Sequence, residues 1–182
     1  MGMRKRAFLF CALAACALAV SAQSYSLRSN ILGLATTNLN LEASMTLNRK
    51  WSLHLPVQYN PFKFGSNRQF RNFYAAPGAR YWLLESYMGG FIGMYGTAGM
   101  YSVGNLFGSK YRYEGEGYGV GLSIGKAYQI GRRWNLEWEA GAGAVWLAYD
   151  KYLCKRCGDL VGQEYGWHFL PTRAALNVVY LF

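Results

Sequence analysis

The last ten residues, Arg173 to Phe182, alternate strictly and end on an aromatic: Leu176, Val178, Tyr180 and Phe182 share one face, Ala175, Asn177, Val179 and Leu181 the other. A period of two with one bulky, aromatic face is the pattern of a β-strand, and carried to the final residue it reads as the closing strand of an outer-membrane barrel. The pattern predicts an architecture and a compartment. It predicts neither a ligand nor a reaction.

The start of the chain points the same way. Arg4, Lys5 and Arg6 form a basic region, Ala7 to Val20 is apolar, and Val20-Ser21-Ala22 offers small residues for cleavage before Gln23. Residues 1–22 are therefore expected to be a cleaved export signal, and 23–182 the mature barrel domain. The apolar stretch is shorter than the about 20 residues a spanning helix needs. Leu13-Ala14-Ala15-Cys16 offers a competing lipoprotein site, but the apolar run before Cys16 is short and Ala17 to Val20 continues it without a polar linker.

No later run is apolar and long enough to span as a helix, so a membrane-crossing mature chain would cross as strands. Fifteen Tyr, ten Phe, six Trp and 22 Gly, with only 15% charged residues, suit outward strands with aromatic girdles better than a soluble domain. Removing the signal takes three positive residues from the formal charge of +10 and leaves +7. Those charges form no run or helix stripe: Arg49, Lys50, Arg132 and Arg133 fall in tight turns, and Lys110, Arg112, Lys151, Lys155 and Arg156 in long loops. Positions beside anionic headgroups account for them, and nucleic acid is not an expected partner.

Along the chain, Leu39, Leu41, Ala43, Met45 and Leu47 alternate with Asn40, Glu42, Ser44 and Thr46. After Asn48-Arg49-Lys50 the alternation resumes as Trp51, Leu53, Leu55, Val57 and Tyr59 against Ser52, His54, Pro56 and Gln58, so the two runs predict a hairpin. Ile130-Gly131-Arg132-Arg133-Trp134-Asn135-Leu136 repeats the turn pattern of Leu47 to Leu53. Further strands are predicted over 25–34, 72–83, 89–101, 117–130, 134–148 and 165–182, for eight in all. Short connections near Asn48, Glu85 and Arg132 alternate with long ones over 60–71, 102–116 and 149–164. The fold class is thus all-β: an eight-stranded, antiparallel, up-and-down transmembrane barrel with short periplasmic turns and long extracellular loops.

Several blocks carry a resemblance. Asn48-Arg49-Lys50-Trp51-Ser52-Leu53, Tyr59-Asn60-Pro61-Phe62, Ala79-Arg80-Tyr81-Trp82, Arg112-Tyr113-Glu114-Gly115, Gly131-Arg132-Arg133-Trp134, Tyr149-Asp150-Lys151-Tyr152 and Cys154-Lys155-Arg156-Cys157-Gly158 resemble, in order, the domain of unknown function family 3575. The resemblance covers nearly the whole mature chain. It implies a small bacterial outer-membrane barrel, sometimes encoded near fimbrial components, with no established activity.

Few residues offer chemistry. Cys154 and Cys157 are the cysteines left after signal cleavage; no helical pattern follows them to favour redox work, and His168 is the nearest further metal donor, so a disulfide across an exported loop is expected. His54 shares the polar face of its strand with Ser52, which invites a hydrolase reading with a neighbouring carboxylate, yet that face points inward, where a hydrogen-bonded structural histidine is the simpler account. Glu42, Arg80, Glu137 and Glu139 also fall on inner faces. A lumen only wide enough for side chains requires such charges to pair, with Arg80 expected as the central counter-charge. The glycines of Gly115-Glu116-Gly117-Tyr118-Gly119-Val120-Gly121 superficially match a dinucleotide loop, but a strand continues through them, so crowding in the lumen explains them better. Trp51, Tyr59, Trp134, Trp146, Tyr180 and Phe182 are expected to form a lipid-facing girdle.

The expected function is a non-enzymatic surface protein with a scaffold or adhesion role through its loops. A lipid-modifying enzyme and a lipocalin-like periplasmic carrier are the alternatives, the carrier requiring the bulky face to turn inward around a ligand. No cofactor or metal is expected. Outer-membrane lipid and lipopolysaccharide, the assembly machinery acting on the last strand, and an extracellular or fimbrial protein are the expected partners.

Overall fold

The structure is a computed structural model that describes residues 25–64, 68–104, 111–153 and 160–182. The export signal, Cys16, Cys154 and Cys157 lie outside the described residues. Ten strand segments follow one another: β1 (Tyr25–Asn30), β2 (Leu39–Asn48), β3 (Trp51–Asn60), β4 (Lys63–Phe64), β5 (Arg68–Ala75), β6 (Gly78–Trp82), β7 (Gly89–Gly104), β8 (Tyr111–Gln129), β9 (Trp134–Leu153) and β10 (Leu160–Leu181), with a short helix α1 (Ile31–Ala35) after β1.

Chain neighbours pair antiparallel, and β1 closes on β10 with Ser26 opposite Leu181 and Asn30 opposite Asn177. Because β5 and β6 both lie between β3 and β7, they are two halves of one wall strand, and the closed barrel has eight strands with β4 as an extra short segment on β5. The connectivity is up-and-down. At the first turn the Asn48 side chain accepts from the Lys50 and Trp51 amides at 2.9 and 3.0 Å, which is why Asn48-Arg49-Lys50 reverses the chain so tightly.

The fold differs from the sequence expectation in four places. The first strand stops at Asn30 rather than at Leu34, since the Asn30 side chain caps α1 by accepting from the Leu32 amide at 3.1 Å. The fourth wall strand begins at Arg68 and breaks at Ala76-Pro77, where proline has no N–H for the ladder; the Pro77 carbonyl still accepts from Gly96 at 2.9 Å. Much of the expected loop sequence is strand: β7 and β8 reach Gly104 and Tyr111, and β9 and β10 reach Leu153 and Leu160, so Arg112 and Lys151 sit on strands. Both faces are polar or aromatic there, which hides the alternation. Finally, a bulge between Pro171 and Arg173 shifts the register of β10, so the inward side changes from even to odd positions and a single alternation cannot describe the strand.

The outer wall is apolar, with Leu41, Leu53, Val120, Leu122 and Ile124 exposed, while Ser44, Ser52, Ser123, Asn135 and Asn177 are buried inside. This inversion fits a barrel that faces lipid. The lipocalin-like alternative required the opposite orientation. Two aromatic belts ring the outside. Near the turns, Trp51 meets Tyr81 edge-on at 5.3 Å, Trp134 meets Tyr180 at 4.9 Å, and Tyr180 meets Phe182 at 5.0 Å. Toward the loops, Tyr59 is exposed and Trp146 packs on Trp167 at 5.6 Å. Between the belts lie small residues, among them Ala43, Ala79, Ala142 and Ala144.

At the turn end Trp82, Tyr87, Phe91, Ala127, Val179 and Leu181 form a buried apolar floor. Tyr87 adopts a φ of 67°, a left-handed conformation uncommon for a bulky residue. It is held there at both ends, its hydroxyl 2.9 Å from Ser44 Oγ and its carbonyl accepting from Asn135 Nδ2 at 2.7 Å.

The glycines of β8 do line a crowded interior. A Cβ on Gly121 would lie 2.6 Å from the Tyr95 ring. Gly121→Val is therefore expected to destabilise the barrel by about 1–3 kcal/mol through overpacking. Urea unfolding in detergent micelles checks this, and a variant as stable as wild type would show that Tyr95 yields freely.

Candidate functional site

The most elaborate constellation is a charged layer above the floor, built from six wall strands. Their alternation sends Arg28 (β1), Glu42 (β2), His54 (β3), Arg80 (β6), and Glu137 and Glu139 (β9) into the lumen, all buried. Arg80 Nη1 donates to Glu137 Oε1 at 2.8 Å, its Nη2 donates to Glu139 Oε2, and Glu42 Oε1 lies 3.9 Å away. Arg28 donates to both Glu137 and Glu42. Arg173, on β10 past the bulge, donates to Glu139 Oε1 at 3.0 Å, and Asn177 Nδ2 donates to Glu137 Oε1 at 3.3 Å.

The structure thus brings together all four charges singled out in the sequence, but Arg80 is not the lone counter-charge. Three arginines face three glutamates. Arg28 stood in a first strand whose inner face carried no other charge to point to it, and Arg173 was concealed by the bulge. Only the closing register, which sets β1 and β10 beside each other, joins them to the glutamates.

His54 sits at the edge of this layer. Its Nε2 lies 2.6 Å from Ser52 Oγ, and its Nδ1 lies 3.1 Å from Glu42 Oε1, the connectivity of a serine hydrolase triad. Arg28 Nη2 also abuts Nδ1. The resemblance to a triad ends at access. Ser52 is 0% exposed, and its oxygen accepts the Trp82 indole N–H at 2.7 Å. A nucleophile needs room for a carbonyl and for oxyanion donors, and a hydroxyl closed in on every side has none. The layer works as a brace: its charges compensate one another where uncompensated charge would be costly.

Above the brace the lumen opens. A cavity of about 110 Å³, bordered by Arg28, Glu42, Gln58, Tyr74, Glu139 and Arg173, adjoins a second of about 320 Å³, the two sharing Gln58, Tyr74 and Thr172. The inward side chains of the second include Tyr74, Thr97, Tyr101, Val145, Leu147 and Leu170. Asn60 and Asn72 both donate to Asn38 Oδ1, at 3.2 and 2.9 Å, tying the shoulder of α1 to β3 and β5 beside it.

The girdle residues Trp51, Tyr59, Trp134 and Phe182 are exposed on the outer wall, and Trp146 and Tyr180 share that face half-buried. His168 is an exposed residue on β10, opposite Val145. Among the described residues no cluster of three or more His, Cys, Asp or Glu side chains is arranged to hold a metal, and no helix is long and apolar enough to cross a membrane.

No curated protein and no solved structure matches the chain. One family model does match, over residues 7–182, and carries the description of a protein of unknown function. With the match extending through every wall strand, the chain belongs to the DUF3575 family.

Proposed function

We propose that the chain is a non-enzymatic outer-membrane barrel that presents a binding surface for an external protein partner at its loop end. The observation that carries this reading is the uneven height of the wall. The β1–β2 side ends at α1, whereas β7 to β10 continue as a four-stranded palisade to Gly104, Tyr111, Leu153 and Leu160. Past the aromatic belt the outward face of the palisade changes character. Arg112 Nε lies 3.2 Å from Glu114 Oε1 and its guanidinium stacks over Tyr152 at 5.0 Å; Ser102 donates to Glu114 at 2.9 Å, and Gln163 to Asp150 at 2.9 Å. A preorganised polar and aromatic surface loses little entropy on binding, which is what recognition on a rigid scaffold needs. The closed floor argues against a pore, and the sealed Ser52 argues against a lipid hydrolase. With the short turns in the periplasm, the belts lie at the two headgroup levels and the palisade stands outside the cell.

Photocrosslinking in intact bacterial cells tests this reading. A photoreactive residue replacing Tyr152 on the palisade is expected to yield a protein adduct, while the same residue replacing Leu122 in the apolar band yields none. Absence of protein adducts from Tyr152, Asp150 and Gln163 alike would remove the partner-binding function. Fractionation of the same cells checks the compartment.

A further inference from the structure

Among the described residues, the pairing of the barrel wall is interrupted beside β10. That strand pairs with β9 along nearly all its length, but with β1 only from Asn177 to Leu181. Just above, the Asn30 side chain replaces a strand, accepting from the Leu176 amide at 3.1 Å and donating to the Ala174 carbonyl at 3.3 Å. Beyond Ala174 the described residues set only α1 against this edge, with Ile31, Leu32 and Leu34 turned outward. An unpaired edge at membrane depth is costly, and Pro171 within it removes one N–H that would otherwise need a partner. The outward residues of this stretch are also the most exposed aromatics of the described wall, Tyr165 at 77% and Phe169 at 78%.

The 320 Å³ cavity borders the same edge, since Leu170, Pro171 and Thr172 form one of its sides. Its size falls within the about 300–1,000 Å³ of small-molecule sites. Val145, Leu147, Leu170 and the Tyr101 ring make the walls apolar, whereas the Tyr74 hydroxyl is buried without a hydrogen-bond partner. A stranded hydroxyl costs stability unless something completes it. A ligand here needs a hydrocarbon chain and one oxygen acceptor for that hydroxyl.

We propose that the loop-end half of the lumen binds a single acyl chain, entering through the gap between α1 and β10, with Tyr74 donating to an ester, hydroxyl or carboxyl oxygen of the ligand. The chain comes either from a free fatty acid or from an acyl arm of an outer-leaflet lipid. The proposal rests on the membrane placement of the barrel but not on any protein partner.

The full mature protein in lipid nanodiscs, titrated with the fluorescent fatty acid cis-parinaric acid, tests it. Saturable binding of one probe per barrel, above partition into empty discs, is expected. Thr97→Trp and Leu170→Trp, which fill the cavity, should weaken binding by at least about tenfold, while Leu122→Trp on the outer wall leaves it unchanged. Tyr74→Phe should weaken binding several-fold yet leave the unliganded barrel as stable as wild type or more so, a pairing that a merely structural tyrosine would not produce. It also decides the matter should the larger substitutions fail to fold, as judged by heat-modifiable migration. Equal affinity in wild type and Tyr74→Phe, or no saturable binding in an inserted barrel, overturns the proposal. Failure to enter discs at all overturns the membrane placement with it. Mass spectrometry of the organic extract of the native protein distinguishes fatty acid from intact lipid as the source.

Discussion

Arg80→Ala is expected to lower the unfolding free energy of the barrel by about 3–5 kcal/mol, the usual cost of deleting one partner from a buried ion pair. Arg80 is 1% exposed and its two terminal nitrogens serve Glu137 and Glu139, with Glu42 3.9 Å away. Its removal leaves three glutamates with Arg28 and Arg173 alone and opens a void against Phe91, over whose ring the guanidinium lies at 4.3 Å. Adding Glu137→Gln should recover part of the loss, because the residues share one network and their effects are not additive. Arg28 tempers the recovery, since it also donates to Glu137 and would lose a carboxylate. Urea unfolding in detergent, followed by tryptophan fluorescence, reads both variants. An Arg80→Ala barrel within about 0.5 kcal/mol of wild type would behave like an ordinary surface variant and would remove Arg80 from the brace.

Trp82→Ala should be comparably damaging, at about 3–5 kcal/mol for truncating a large buried aromatic. The ring is 0% exposed, packs against Phe91 at 4.8 Å and Tyr87 at 5.7 Å, and its N–H satisfies Ser52. Truncation would therefore leave a cavity at the floor and deprive Ser52 of a donor in one step. Trp82→Phe separates the two effects: it keeps most of the packing and loses the hydrogen bond, so a cost nearer about 1–3 kcal/mol is expected. If the two substitutions cost the same, the hydrogen bond to Ser52 rather than the filled floor would be the dominant contribution of Trp82.

How far the site could be read from the residues follows from which signals are local. Period-two alternation is local. It sorted Leu41, Leu53 and Leu136 from Glu42, His54 and Glu137 without any knowledge of neighbours, and because a closed barrel turns one face outward and the other into its lumen, the same alternation carried the fold class and the membership of Glu42, Arg80, Glu137 and Glu139 in the interior. The tight turns were equally legible, since Asn48 makes its reversal with amides two and three residues away.

What pairs with what is not local. That Arg28 and Arg173 share the work of Arg80 depends on closure, which sets Asn30 opposite Asn177 across the seam, and on a bulge at Pro171–Arg173 that no strict alternation contains. The helix after Asn30 replaced an expected strand because one side chain caps it, and the palisade emerged from segments whose polarity on both faces erased the pattern. By itself the amino-acid order determined most of the wall: outside the bulged β10, which residues face out and which face in, and that eight strands close it. Tertiary structure alone decided the gap beside β10, the cavity bordering it and the sealing of Ser52 behind Trp82. Each of these is a property of the register between segments distant in sequence, and a side chain carries information about its own face but not about which residue closure will set across from it.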